Sequence, residues 1–418
     1  MNKNSSTFFD NMKLPIHRWF RYSAGFSGAW VESVVTNYLE ISKNKDITIL
    51  DPFAGAGTTL LACDYIGVKS IGFEAHPLVY KIAKNKLNWT ISIEELTRRA
   101  NQVLLMAREY CTKGNKINKY PDIVLKCYDS DNLKALDALR TIISSRSSDD
   151  IDKILWLAFI CILRSSSHAG TASWQYVLPN KRKAKVYSAF DAFESQIKLM
   201  ANDLEIFQNE AKASKALILE HDARNISSLD SNSIDLVITS PPYANNYDYA
   251  DATRLELSVL GEIDSWADLQ NKIRPALVRS CSQMVSKERK ETFQYIKDPL
   301  LECIYDELYL ACKSLEKERE NHGGKKNYHT MAALYFLDLA KVWVELRRVC
   351  KDGAEVCFVV GDSAPYGIYL PVDKWLGELA LSAGFKSYKF EKLRDRNIKW
   401  KNRKHRVPLK EGILWVKG

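Results

Sequence analysis

The stretch Ile47–Glu74 constrains the fold more than any other part of the chain. A short β-like run, Ile47–Leu50 (ITIL), ends in Asp51 and gives way to a glycine-bearing turn. A helix is predicted over Thr58–Ile66, closed by Gly67, and a second strand, Lys69–Phe73, ends in Glu74. Strand, turn, helix and strand within about 30 residues make a βαβ unit, the opening of a doubly wound sheet. Ahead of it, Ser27–Leu39 carries apolar residues at helical spacing, with Ser27 placed as N-cap.

Strand signals return at Leu217–Glu220, Leu236–Thr239, Glu355–Val360 and Ile413–Val416. Between them Asn88–Ala216 is mostly helical, and Gly261–Tyr328 is charged and helical. One α/β core interrupted twice accounts for this order more economically than domains in series. The predicted division has an N-terminal segment and first half-core (1–90), a helical insertion (91–215) and a return to the core (216–262). A second insertion (263–330) and a C-terminal core portion with a basic tail (331–418) complete it. Insertions of this kind are where substrate selection is expected.

Composition removes whole classes. The chain has 418 residues, 46% of them apolar and 27% charged, which suits a folded globular protein and not a disordered or fibrous one. Its longest strongly apolar run, Ile154–Leu163, stops at Arg164, too short to span a bilayer. The first fifteen residues lack the apolar core of a secretory signal. Nine cysteines without a CxxC pair argue against a disulfide framework or a zinc site and fit a reducing cytoplasm. No metal site is expected, since the histidines show no pair at ligand spacing. Sixty Lys+Arg against fifty-one Asp+Glu give +9, which permits a polyanionic partner.

Asp51–Thr59 reads DPFAGAGTT. Gly55 and Gly57 allow a sharp turn and a close ligand approach. Leu60 occupies the third glycine position of GxGxxG, and no Gly-Lys-Ser/Thr follows. A phosphate-binding loop is thereby excluded, and a nicotinamide or ATP site disfavoured. With Glu74 at the end of the next strand to accept from ribose hydroxyls, the loop points to a nucleoside cofactor without phosphates. Asp222, just past Leu217–Glu220, could accept from an adenine amino group or simply sit in a turn.

Thr239–Tyr243 reads TSPPY and follows the strand IDLVIT. Two prolines stiffen the backbone and remove two donors, leaving acceptors: the Ser240 hydroxyl and nearby carbonyls, above all that of Pro241. Tyr243 offers a flat face for stacking. Acceptors beside an aromatic platform suit the exocyclic amine of a planar base, whose lone pair is delocalised until hydrogen bonds draw the nitrogen toward tetrahedral geometry.

Together the two motifs resemble those of amino-group DNA methyltransferases that use S-adenosylmethionine (SAM). The resemblance implies a Rossmann-like SAM-dependent methyltransferase fold, α/β with a doubly wound, mostly parallel sheet and two largely helical insertions. By it, Asp51, Pro52, Phe53, Gly55, Gly57 and Thr58 would form the SAM loop, Glu74 would hold the ribose and Asp222 would meet the adenine. Tyr22 and Phe26, in HRWFRYSAGFS, would pack on the methionine end. Ser240, Pro241, Pro242 and Tyr243 would hold a target base flipped from the duplex. The serine form of the tetrapeptide is typical of enzymes methylating cytosine at N4, with adenine N6 as the alternative. RNA methylation and a silent DNA-binding subunit are further alternatives. Double-stranded DNA is the implied partner, with a restriction-modification system and its cognate endonuclease as the implied setting. Carbon-5 cytosine methylation is excluded, because none of the twelve prolines precedes a cysteine.

Two basic stretches are expected to face DNA. Ser165–Lys185 interleaves Trp174 and Tyr176 with Lys181, Arg182 and Lys183. Arg394–Arg406, seven Lys/Arg and one Asp, supplies Arg396, Lys399, Lys401 and Arg403 around Trp400.

Overall fold

In the computed structural model, which describes residues 8–22, 26–44, 46–172, 175–213, 215–396 and 407–418, the expected strands are all present. In chain order the strands are β1 (Thr48–Asp51), β2 (Lys69–Glu74), β3 (Ala169–Thr171), β4 (Val177–Arg182), β5 (Ala216–Glu220), β6 (Ile234–Thr239), β7 (Cys350–Gly361), β8 (Ser387–Arg396) and β9 (Leu409–Lys417). Seven of them form one sheet in the order β5-β2-β1-β6-β7-β9-β8. Strands β5 to β7 are parallel, and β9 runs antiparallel between β7 and β8.

Successive strands are added leftward from β1 and then rightward from β6, so the winding reverses between these two. In a doubly wound sheet the crevice at that reversal, at the carboxyl ends of the strands, is where ligands bind. Both motifs lie there: DPFAGAGTT follows β1 and TSPPY overlaps the end of β6.

Burial explains why these strands read as near-continuous apolar runs. Side chains alternate across a strand, and here both faces are covered. Ile49, Leu236, Ile238, Cys357 and Ile413 pack with Val31 and Val35 of α1 (Gly28–Ser42) and with Ala62 and Cys63 of α2 (Thr58–Ile66). Their neighbours Leu50, Val237, Phe358 and Leu414 face the larger core, where Trp343 of the helix Tyr328–Val349 stacks on Phe358 at 4.6 Å.

The predicted α2 has the observed bounds, with left-handed Gly57 and Gly67 at its ends. Helix α1 differs in its cap. Ser27 occupies the N-cap position, but its hydroxyl is buried without a partner, and Asn11 Oδ1 accepts from Gly28 N instead, at 2.8 Å. An acceptor seventeen residues upstream has displaced the local one.

The first insertion is built from the helices Ile93–Thr112, Ser130–Ser144, Asp150–Ser166 and Ala189–Glu210, and it also contains the hairpin β3–β4, which the helical reading missed. Buried Asp203 ties it to the N-terminal segment, accepting from Ile16 N and Trp19 Nε1, both at 3.0 Å, and pairing with Arg18. Arg164 pairs with buried Glu256 at 2.6 Å, joining the insertion to the helix after the catalytic motif. The second insertion is mostly short helical turns as far as the helix Tyr305–Asn321. No helix of the described residues is long and apolar enough to cross a membrane.

Candidate active site

The turn after β1 is shaped by its backbone. Gly55 has φ +52°, and a Cβ there would lie 3.1 Å from the Tyr22 ring, so a side chain would be both strained and crowded. The Gly55 amide donates to Glu74 Oε2 at 2.8 Å, and the His76 amide donates to Glu74 Oε1 at 2.7 Å. These bonds aim the carboxylate from the end of β2 along the crevice. Burial pushes its pKa up to about 7, with the two amides opposing the rise. His76, buried beside it, is pushed down to about 4 by burial and is a neutral imidazole bonded to Thr253 Oγ1 at 2.8 Å.

A cleft of about 800 Å³ opens at this point. Tyr22, Phe26, Pro52, Phe53, Gly55, Thr58, Glu74 and Asp222 all line it, and so do Ser240 and Pro242 of the second motif. No Lys or Arg is among the described residues that line it. Aromatic rings, a carboxylate aimed inward, a glycine cradle and no lining cation fit SAM, a nucleoside with no phosphate to neutralise. The Glu74 carboxylate is an acceptor suited to its ribose hydroxyls.

Two expected cofactor residues stand elsewhere. Asp51 is buried behind the cleft, where its carboxylate accepts from Thr59 Oγ1 and Thr239 Oγ1, both at 2.6 Å, and from Phe53 N at 3.1 Å. It therefore clamps β1, α2 and the end of β6 together across the switch point. Burial raises its pKa to about 6, and the three bonds oppose that rise. Gly57 likewise serves the turn, as the left-handed N-cap of α2. Asp222 does line the cleft, but its carboxylate is already forked to Arg224, at 2.6 to 3.0 Å.

The roof of the cleft comes from an unexpected quarter. Ala276, Leu277 and Val278 of the second insertion close over it, together with Tyr249. Arg274 fixes this segment through Asp248 at 2.5 Å, a pair buried on both sides, and Arg279 is paired with fully buried Asp338. Nothing in RPALV marks it as a cofactor contact, because the packing depends on ion pairs 26 and 59 residues apart in sequence.

The TSPPY motif is braced from β7 and the loop beyond it. Ser240 Oγ donates to the Val359 carbonyl at 3.1 Å, and Ser363 Oγ donates to the Ala244 carbonyl. The Ser240 hydroxyl lies at the edge of the cleft and is also hydrogen bonded to the Tyr243 phenol. On the other side of the motif a second cavity of about 490 Å³ is lined by Asn245, Asn246, Asp362 and Arg396 among others. Burial pushes the Tyr243 phenol well up, Glu411 adds to the rise, and Arg396 and a hydrogen bond with the Ser240 side chain oppose it.

The expected DNA-facing residues divide. Lys181 and Arg182 are exposed on β4. Lys183 is instead turned inward, its ammonium donating to the Arg164 carbonyl. Tyr176 accepts from Asp248 N at 2.7 Å and packs against Tyr247, so it braces the loop after the catalytic motif. Arg396 lies over the Tyr243 ring, 5.1 Å from its centroid. Trp174, Lys399, Lys401 and Arg403 lie outside the described residues.

A cleft with no Lys or Arg among its described lining residues, at a Rossmann-like switch point and with a Ser-Pro-Pro-Tyr turn on its rim, suits a methyltransferase. Comparison with known proteins narrows the class. Residues 22–85 match the family model described as DNA methylase. The chain is 26% identical to the Type II methyltransferase M.BsoBI of Geobacillus stearothermophilus over 468 aligned positions, covering all of this chain and 88% of that one. It is 28% identical to the Type II methyltransferase M.AvaI of Nostoc sp., covering 92% of this chain and 82% of the relative. In the site as along the chain, the protein resembles amino-group DNA methyltransferases.

Proposed function

We propose that the protein is a sequence-specific DNA methyltransferase of a restriction-modification system, transferring the methyl group of SAM to N4 of a flipped-out cytosine. The DNA methylase description of the matching family model supports the DNA substrate, and the Type II methyltransferase names of the relatives support the modification role. The single observation that carries the choice of base is Ser240. It stands in the position where serine is typical of cytosine-N4 enzymes, and its hydroxyl, anchored on the Val359 carbonyl, lies on the edge of the cleft where a target amine would enter.

SAM, when bound, supplies an electrophilic sulfonium methyl. The chain's own residues bind and orient. Glu74 accepts from the ribose, with Tyr22, Phe26 and Phe53 enclosing the rest of the cofactor. Asp222, held by Arg224, faces the cleft from the end of β5 as the partner of the adenine amine. Ser240 and the Pro241 carbonyl accept from the target amine, and Tyr243 stacks on the base. The rate gain then rests on positioning, with no strong base required. Lys181, Arg182 and the basic residues of the tail after Arg396 supply phosphate contacts in this reading.

The test is to incubate protein, SAM and unmethylated mixed-sequence duplex, digest to nucleosides and analyse by mass spectrometry. 4-Methylcytosine is expected. 6-Methyladenine would overturn the base assignment while leaving the residue roles in place, and no methylated nucleoside would overturn DNA as the substrate.

A further inference from the structure

Arg396 looks from the sequence like the first cation of a DNA-binding tail. Its surroundings describe something else. It is the last residue of β8, paired with Leu409 of β9, and its side chain runs back toward the carboxyl end of β7. Nη1 donates to the Asp362 carbonyl at 2.7 Å, and Nε lies 3.6 Å from Oε2 of buried Glu411. The side chain is only 13% exposed. Room for it is made by Gly361, where a Cβ would fall 2.6 Å from Nη1 and 3.1 Å from Cδ. With the guanidinium so fixed, its carbon stands 5.1 Å from the centre of the Tyr243 ring.

A guanidinium held this way has one geometry. An arginine that serves a phosphate keeps its fork in solvent, whereas this one is engaged by a carbonyl, a carboxylate and an aromatic face. A cation over one face of a phenol ring is attracted by the ring's quadrupole and fixes its plane. The residues on either side of Tyr243 are tied to the end of β7 and the loop beyond it. Ser240 is tied to Val359 and Ala244 to Ser363, and Arg396 completes the set by joining Tyr243 to Asp362.

We propose that Arg396 is a positioning residue for Tyr243, locking the ring against the end of β7 so that it meets the flipped base already oriented, and that it is not a phosphate contact. This rests on the reading of Tyr243 as the stacking platform. A contact that orients the platform acts on the bound complex. Its loss should therefore lower kcat more than it raises KM for DNA, and leave the salt dependence of binding alone.

The experiment compares wild type, Arg396→Met, Arg396→Lys and Gly361→Ala on a duplex containing the site mapped from methylated product. SAM affinity by calorimetry shows that each variant is folded. Arg396→Met is expected to lose about ten-fold or more in kcat, with KM for DNA changed less than three-fold or so. Arg396→Lys, which restores charge but not the fork, should recover only part of the loss. The slope of log affinity against log salt should match the wild type. Gly361→Ala, which crowds the guanidinium without removing it, should lower kcat in the same sense, and it decides the matter should Arg396→Met fail to bind SAM. An unchanged kcat in either Arg396→Met or Gly361→Ala overturns the proposal, as does a salt slope reduced by about one, the signature of a lost phosphate contact. A wild type that methylates no DNA defeats the functional reading itself and is distinguished by that control.

Discussion

The two sides of the switch point are built from different materials. On the β1–β2 side the cleft is made by main chain and carboxylates. Glu74 is aimed by two amides, the turn is shaped by Gly55, and no lysine or arginine is among the described lining residues. On the β6–β7 side the catalytic turn is held by serine hydroxyls on carbonyls and by a guanidinium over a ring. The contrast follows from what each side would hold in the proposed function. A cofactor bearing a sulfonium cation and ribose hydroxyls needs acceptors and a low positive potential. A flat base with a poorly nucleophilic amine needs a rigid platform. One residue belongs to both sides: Asp51, hydrogen bonded to Thr59 on one and Thr239 on the other.

This division can be broken at its joint. Asp51→Ala leaves two buried hydroxyls and an amide without their acceptor and should cost about 3 kcal/mol or more of stability, seen as a lower Tm. Both SAM affinity and methylation should fall, and loss of only one would show that the two sides are not coupled through Asp51. Tyr243→Ala should act on one side alone. Removing a stacking platform worth about 1–3 kcal/mol per base predicts roughly a ten- to hundred-fold loss of activity, with SAM affinity within a few-fold. Equal losses would make Tyr243 a structural residue.

The cofactor side can be sharpened through its titration. With the Glu74 pKa raised to about 7, the carboxyl is mostly protonated below that pH and ionised above it. Ribose hydroxyls are best accepted by the ionised form, so SAM affinity should rise as pH increases through about 7. Glu74→Gln should lower affinity by about ten-fold at pH 8 and flatten the profile, which calorimetry across pH 6 to 8 would check. The smallest effect is expected furthest from both sides. Replacing exposed Lys181 and Arg182 by alanine should leave kcat intact, weaken DNA binding uniformly across sequences and reduce the salt slope by about two.

Much of this was legible in the chain. The bounds of α2 follow from Gly57 and Gly67, and the strands β1, β2, β6 and β7 from apolar runs that a two-sided sheet demands. Strand β8 was not legible, because SYKFEKLRDR is a polar edge with no buried face to pattern it. The hairpin β3–β4 is too short to stand out within helices. Lys183 and Tyr176 read as surface residues by composition, and only packing turns them inward.

The sequence by itself determined the βαβ opening, the two motifs and their shared chemistry, because turns, caps and alternation are written in residues close together along the chain. The tertiary structure alone decided that Asp51 joins the two sides, that Ala276–Val278 line the cleft at the switch point and that Arg396 lies over Tyr243. Each of those depends on groups tens to hundreds of residues apart, brought together by burial that no local spacing records.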